Sequence, residues 1–167
     1  MNLGIALIGG LTVAAFVVPL VLLTRGRKVK EKKFLQALTD MAGKSGNSIS
    51  EHEYFNNTVI GIDKKYHFVF FIRKTNPGEA SQEVDLKDVF RCRVLNTSNT
   101  VSQKTSTYTV IEKIQLVFAF KDKTRPETYL EFYNNDHDSL TISGELQIAE
   151  KWARIINENI AKIPAKK

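Results

Sequence analysis

The chain of 167 residues contains a single cysteine, Cys92, and a single tryptophan. One cysteine cannot form an internal disulfide, and it provides no second thiolate for a zinc site. A lone cysteine inside an apolar stretch is most often a small buried core residue, which is what we predict for Cys92. The first 24 residues contain no charged side chain, so the charge of the protein is confined to the remainder.

Residue patterns that would indicate an enzyme are also missing. The sequence has no GxSxG, no glycine-rich phosphate-binding loop and no HExxH. Its three histidines, His52, His67 and His137, have no companions at the spacing of a metal site. Cys92 has no neighbour that would mark it as a nucleophile. We therefore predict that the protein is not an enzyme, needs no cofactor or metal and has no small-molecule substrate.

The net charge of +6 comes almost wholly from one short stretch, residues 25–33. This stretch has six basic side chains against Glu31 alone, which leaves a net charge of +1 for all other residues. The basic side chains are Arg25, Arg27, Lys28, Lys30, Lys32 and Lys33. A nucleic-acid-binding domain would spread Lys and Arg over a folded face, so we predict no nucleic-acid partner.

An uninterrupted apolar stretch runs from Leu3 to Leu23, with only Thr12 weakly polar. As a helix it would be about 31 Å long, which matches the hydrocarbon thickness of a bilayer. We predict a transmembrane helix over residues 1–24. Small residues recur every four positions on one of its faces, where another helix could approach closely; they are Ala6, Gly10 and Ala14. The alternative is a cleaved signal peptide before an extracytoplasmic domain, although signal peptides have shorter apolar runs.

All basic residues near this apolar stretch follow it in the sequence. Because Lys and Arg beside a span stay on the cytoplasmic side, we predict a single-pass membrane protein with its N-terminus outside and its C-terminal domain in the cytoplasm. The basic side chains of 25–33 would lie at the membrane surface, where each contributes on the order of 1 kcal/mol of attraction to anionic lipid. The lipid bilayer is therefore an expected partner.

The sequence after the apolar stretch predicts four further segments. Residues 25–43 form a basic juxtamembrane amphipathic helix, since apolar residues recur there at helical spacing. Residues 44–55 are a polar linker. Residues 56–163 form an α+β domain of five to seven antiparallel strands, with a turn-rich loop at 75–82, and an amphipathic helix from about 143 to 162. Residues 164–167 are a tail.

Antiparallel strands followed by one amphipathic helix with a tryptophan resemble the pleckstrin-homology (PH) superfold, particularly bacterial PH-like domains. The stretches that carry the resemblance are NNTVIGIDKKYHFVFFIR, VDLKDVFRCRVL, IEKIQLVFAF with TYLEFY, and AEKWARIINENI. The resemblance implies a bent antiparallel sheet or barrel closed by the C-terminal helix, here behind a transmembrane helix. It also implies a bacterial inner membrane as the location.

The resemblance and the apolar stretch together suggest a function. We expect a membrane-anchored protein that presents a PH-like domain for protein interaction, as an accessory or scaffold subunit of a membrane complex, with one or more membrane proteins as partners. The alternative is a sensor of lipid headgroups. PH domains of that kind place basic residues in the first hairpin, where Lys64, Lys65 and Arg73 lie in this sequence. Such side chains can bind a phosphate.

Overall fold

The computed structural model describes residues 26–75, 78–103, 106–138 and 142–164. Within these residues it contains two helices and seven strands. Helix α1 covers residues 26–44. The strands and the second helix are β1 (Glu51–Phe55), β2 (Thr58–Asp63), β3 (Phe68–Thr75), β4 (Gly78–Asp85), β5 (Val89–Gln103), β6 (Ser106–Phe120), β7 (Thr128–Asn134) and α2 (Glu145–Ile160).

The strands form two antiparallel sheets, one with the order β1-β2-β3-β4 and one with the order β5-β6-β7. Each strand pairs with its neighbour along the chain, so both sheets are meanders. The turn between β1 and β2 has only two residues, Asn56 and Asn57, both with positive φ (35° and 56°). Asparagine tolerates this left-handed conformation better than most residues, which suits it to such tight hairpins.

The main core lies between the inner faces of the two sheets and one face of α2. Side chains at every second position of the strands point into it, such as Ile60 and Ile62 of β2 and Leu116 and Phe118 of β6. Trp152 of α2 is fully buried, and its indole Nε1 donates a hydrogen bond of 2.7 Å to Glu53 of β1. This hydrogen bond ties α2 to the four-stranded sheet.

Helix α1 packs on the outer face of the four-stranded sheet. A second apolar cluster joins the two, and its buried members are Phe34, Leu38, Ala42, Val59, Phe70 and Ile72. Gly61 of β2 leaves room for the helix, since a Cβ atom there would lie 2.7 Å from Cδ2 of Leu38. The apolar face of α1 is therefore covered by protein, and the predicted juxtamembrane helix is part of the folded body.

The fold class that the sequence suggested needs correction. The predicted transmembrane helix, residues 1–24, with Ala6, Gly10 and Ala14, lies outside the described residues. In the part of the chain that the structure describes, no helix is both long enough and apolar enough to cross a bilayer; α1, for example, has basic side chains throughout its first two turns. This finding contradicts the predicted single-pass membrane location, with the N-terminus outside and the domain on the cytoplasmic side of a bacterial inner membrane. The described residues form an α+β fold with two small antiparallel sheets.

One strand lies where the sequence predicted none, and another begins five residues before the strand expected from residue 83. β1 falls in the predicted linker 44–55, and β4 falls largely in the predicted loop 75–82. Both are edge strands of the first sheet and are mostly polar, with the sequences EHEYF and GEASQEVD. Each places one apolar side chain in the core, Phe55 of β1 and Val84 of β4. Backbone pairing with β2 and β3 holds them in place, so they need no alternation of apolar residues to form.

Asp63 organises the turn between β2 and β3. Its carboxylate accepts hydrogen bonds from the backbone N–H groups of Ser48 (2.8 Å), Lys65 (2.8 Å) and Tyr66 (2.9 Å). Burial would raise the pKa of this carboxyl, but the three N–H donors and the charge of Lys65 outweigh burial and hold the pKa below its ordinary value. The ionised form therefore stabilises the fold.

We expect Asp63→Asn to lower the free energy of unfolding by about 1–3 kcal/mol, because its amide would set an N–H₂ group against the N–H of Ser48. The pKa of Asp63 is lower in the folded than in the unfolded state, so its contribution is present above about pH 4 and is lost as the pH falls through the folded pKa. Urea midpoints measured from pH 7 downward should converge for the two proteins at low pH. A difference that stays constant with pH would contradict this role.

Candidate interaction groove

The basic residues of α1 lie on the surface, apart from Arg25, which is outside the described residues. Arg27, Lys28, Lys30, Lys32 and Lys33 are all exposed in the first turns of the helix. None of the ion pairs found in the described part of the chain involves them. Their predicted role at a membrane surface stays a prediction.

The three residues predicted to bind a lipid headgroup do not come together. Lys64 and Lys65 lie in the turn that joins β2 and β3, where Nζ of Lys64 is 2.6 Å from a carboxylate oxygen of Glu51. Arg73 pairs in register with Thr58, at the opposite end of the same hairpin. One phosphate could not contact all three side chains.

Arg73 is already used within the fold. Its side chain is 4% exposed and forms ion pairs with Glu131 (3.1 Å) and Asp138 (2.7 Å). It also donates a hydrogen bond of 2.8 Å to the backbone carbonyl of Glu131. Because these partners come from β7 and the loop after it, Arg73 links the two sheets and is not free to bind a ligand.

The histidines lie apart from one another. His67 has positive φ (65°), and its Nδ1 is 2.8 Å from Oδ1 of Asn159 in α2. His52 is exposed on β1, and His137 lies in the loop after β7. Among the described residues, no group of three or more His, Cys, Asp or Glu side chains could hold a metal ion.

A cleft of about 720 Å³ lies between the start of α1, the β1–β2 turn and the start of α2. Two acidic side chains line it, and both have partners inside the protein. Glu53 accepts hydrogen bonds from Trp152 and Lys151, and Glu145 accepts them from the side chain of Asn56 and the backbone of Ser143. These carboxylates therefore serve to hold α2 in place.

A groove of about 500 Å³ lies between β5 and α2. Its walls are residues 91–94 of β5 and one face of α2, which contributes Glu150, Ala153, Arg154 and Asn157. Cys92 and Ala153 are buried and form an apolar floor with the half-buried Val94. The groove is thus apolar at its base and charged at its rims.

The wall formed by β5 is a sheet edge, because β5 is an outer strand of the β5-β6-β7 sheet. The side-chain amide of Asn157 closes this edge at one position: it accepts a hydrogen bond from the N–H of Cys92 (3.0 Å) and donates one to its carbonyl (2.8 Å). A neighbouring strand would make the same two bonds. Asn157 therefore stands in for a strand at Cys92.

The edge beyond Cys92 is open. Backbone groups of an antiparallel strand face the same side at every second residue, so the N–H and C=O groups of Val94 and Asn96 face away from β6, as those of Cys92 do. The hydrogen bonds found in the described part of the chain include none on that side for either residue. An exposed row of unpaired backbone groups is a template for pairing with another chain.

Phe90 stands immediately before the groove residue Arg91. It lies in an irregularity of the β5–β6 pairing between Val89 and Arg91, and it is 70% exposed. Bulges of this kind re-aim side chains, and aromatic and arginine residues are the types most enriched where proteins bind one another. One end of the groove thus presents the residue types of a binding surface.

Sequence reasoning did not find this groove. The edge position of β5 depends on strand order, which no local pattern reveals. The one available signal was Asn157 itself, because asparagine is unfavourable inside a helix unless its side chain has a specific partner. Comparison with protein-family models, with curated proteins and with solved structures finds no match for the chain.

Cys92 is 1% exposed at the base of the groove. Burial raises the pKa of its thiol to about 12, although the charge of Arg93 opposes the shift. Because only the thiolate reacts, its population at neutral pH is about a thousandfold or more below that of an exposed cysteine. We expect no labelling by iodoacetamide in the folded protein and one adduct per chain in urea, measured by intact mass. Rapid labelling without urea would contradict the buried position.

Proposed function

We propose that this protein is an interaction domain of PH-like architecture that binds an extended segment of a partner protein as an added strand along β5, beside α2. The open edge of β5 at Val94 is the observation that carries the proposal. The PH-like architecture is supported by the order of the elements, with sheets of four and three strands followed by a helix that packs Trp152 into the core.

Strand addition suits the chemistry of this groove. An extended segment would pair its backbone with Val94 and Asn96, and the main-chain hydrogen bonds would supply affinity. Its alternate side chains would meet the floor of Cys92, Val94 and Ala153. Asn157 marks one end of the site, because its amide already takes the backbone groups of Cys92.

This function agrees with an accessory or scaffold role in a larger assembly. A lipid-headgroup function is less well supported, because Lys64 and Arg73 each have an acidic partner within the fold and lie at opposite ends of one hairpin. Strand addition along β5 would leave the ion pairs of Lys64 and Arg73 intact.

Val94→Pro tests the proposal directly. Proline removes an N–H that faces the groove and leaves the pairing of β5 with β6 intact, since edge strands tolerate proline where the N–H faces outward. Peptides selected from a random displayed library against the full chain should bind Val94→Pro at least about tenfold more weakly, which corresponds to the loss of one hydrogen bond and a steric clash. Val94→Thr keeps the N–H and a similar shape, so it should bind almost as the parent does.

Three results would overturn the proposal. The first is a library that yields no peptide able to bind the full chain. The second is equal binding of the selected peptides to Val94→Pro and to the parent. The third is a dimer of the parent that Val94→Pro converts to a monomer, because that result assigns the β5 edge to self-association. Urea midpoints of both variants verify that binding is lost without unfolding.

A further inference from the structure

We infer that the segment bound along β5 is acidic, an inference that rests on the proposed function. The chain uses lysine far more often than arginine, with 17 lysines and seven arginines. All three cations that line the groove are nevertheless arginines: Arg91, Arg93 and Arg154. Glu150 is the one acidic residue among the lining side chains, so the groove is cationic in a protein whose body is otherwise almost neutral.

Two of these arginines are available to a partner. Arg93 is engaged by Glu127, whose carboxylate oxygens lie 2.8 and 3.2 Å from its Nη2. Arg91 and Arg154 are exposed, and neither belongs to an ion pair found in the described part of the chain. The planar guanidinium matches a carboxylate with two parallel hydrogen bonds, which makes arginine the preferred cation at binding surfaces.

The positions of the two arginines match an extended ligand. Arg91 lies on β5 and Arg154 on α2, which are the two walls of the groove. Arg91 adjoins Cys92, the end of the site that Asn157 closes, and Arg154 lies one helical turn before Asn157 on α2. A strand paired with the open edge therefore ends beside these two cations, so carboxylates at that end of the strand meet one cation each. Two arginines on different elements can each take one carboxylate of a segment that carries several. The partner that fits is therefore a segment in which Asp or Glu alternates with apolar or β-branched residues.

The test uses three fluorescent peptides and the full chain. The first alternates Glu with Val and Thr, the second has Gln in place of Glu, and the third has Lys. We expect the Glu peptide to bind about tenfold more tightly than the Gln peptide by fluorescence anisotropy, which is the effect of two exposed ion pairs of good geometry. The Lys peptide should bind most weakly.

Substitutions at the groove should remove this preference. In Arg91→Gln with Arg154→Gln, the Glu and Gln peptides should bind equally, and the affinity for the Gln peptide should stay that of the parent. Lys28→Gln with Lys32→Gln is the matched control, because it removes the same net charge from the exposed part of α1. It should preserve the tenfold preference for Glu.

The possible results separate the two proposals. If the Glu and Gln peptides bind the parent equally and Val94→Pro weakens both, the acidic inference is wrong and strand addition stands. Equal loss of preference in the groove variant and the α1 control would also overturn the inference, because it would show only long-range attraction.

If none of the peptides binds at millimolar concentration, both proposals fail. A phosphoserine in place of one Glu that tightens binding more than tenfold would assign the arginines to phosphate instead.

Discussion

Arg73→Met should lower the free energy of unfolding by about 2–4 kcal/mol. The side chain of Arg73 is 4% exposed and bridges the two sheets by its ion pairs with Glu131 and Asp138. Methionine fills a similar volume but leaves both carboxylates without their cation. The loss should stay below that of a wholly buried ion pair, because Glu131 and Asp138 are 29% and 27% exposed and water can solvate them in part.

The neighbouring residue provides a matched control. Lys74 is the next residue of β3 and also pairs with an acid, Glu79, but both members of that ion pair are about half exposed. Exposed ion pairs contribute at most about 1 kcal/mol, so Lys74→Met should have a small effect. Urea unfolding followed by the fluorescence of Trp152 measures both variants.

The surroundings of Arg73 allow a second check. Asp138 also accepts a hydrogen bond of 2.8 Å from the N–H of Asn134, so Asp138→Asn in the Arg73→Met background removes an uncompensated charge and keeps a carbonyl acceptor. We expect this double variant to be more stable than Arg73→Met alone. If Arg73→Met costs no more than Lys74→Met, Arg73 does not link the sheets and becomes available again as a ligand residue.

Arg73 also shows why part of the site could not be predicted. In the sequence it is a basic residue in a hairpin, as Lys64 and Lys65 are. Its acidic partners lie 58 and 65 positions further along the chain, and no local pattern connects residues so far apart. The same holds for the groove, because only the order of the strands makes β5 an edge.

Local sequence patterns did predict the features that depend on residues close together in the chain. Cys92 was expected to be buried because a lone cysteine is most often a small core residue, and it is 1% exposed. Alternating strands and the apolar stripe of the last helix predicted antiparallel sheets and α2. The edge strand β1 and the first part of β4 were not predicted, because backbone pairing stabilises them and their side chains show little periodicity.

Helix α1 was predicted in part. Its helical pattern predicted residues 25–43, and the described helix covers 26–44. The pattern showed that one face of the helix must be buried, but it could not show which part of the protein covers that face. The residue that indicates the covering surface is Gly61. A glycine inside a strand often marks a site where another part of the protein approaches closely.

Leu38→Ala should lower the free energy of unfolding of the whole protein by about 2–5 kcal/mol, the usual cost of truncating a buried leucine. Leu38 is fully buried between α1 and the outer face of the first sheet. If α1 were a separate helix attached to the domain by a linker, the substitution would leave the stability of the sheets unchanged. A shift of the single unfolding transition seen by Trp152 therefore reports that α1 and the sheets unfold together.

Gly61 identifies the contact responsible. Gly61→Ala alone should cost about 1–3 kcal/mol, because its methyl group would lie 2.7 Å from Cδ2 of Leu38 and 3.1 Å from Cγ2 of Ile49. In the double variant Leu38→Ala with Gly61→Ala, the new methyl group occupies space that Leu38 has vacated. The combined cost should therefore be smaller than the sum of the two single costs by about 0.5–3 kcal/mol, the range for residues in direct contact.

Leu35→Ala provides the matched comparison, since Leu35 is half-buried on the same helix and is not among the side chains nearest to Gly61. Its effect should add to that of Gly61→Ala without coupling. Equal coupling for Leu35 and Leu38 would show that Gly61→Ala displaces the helix as a whole. Coupling confined to Leu38 would show that one side chain seated over one glycine fixes the position of α1, and with it the position of the exposed basic residues that the helix carries.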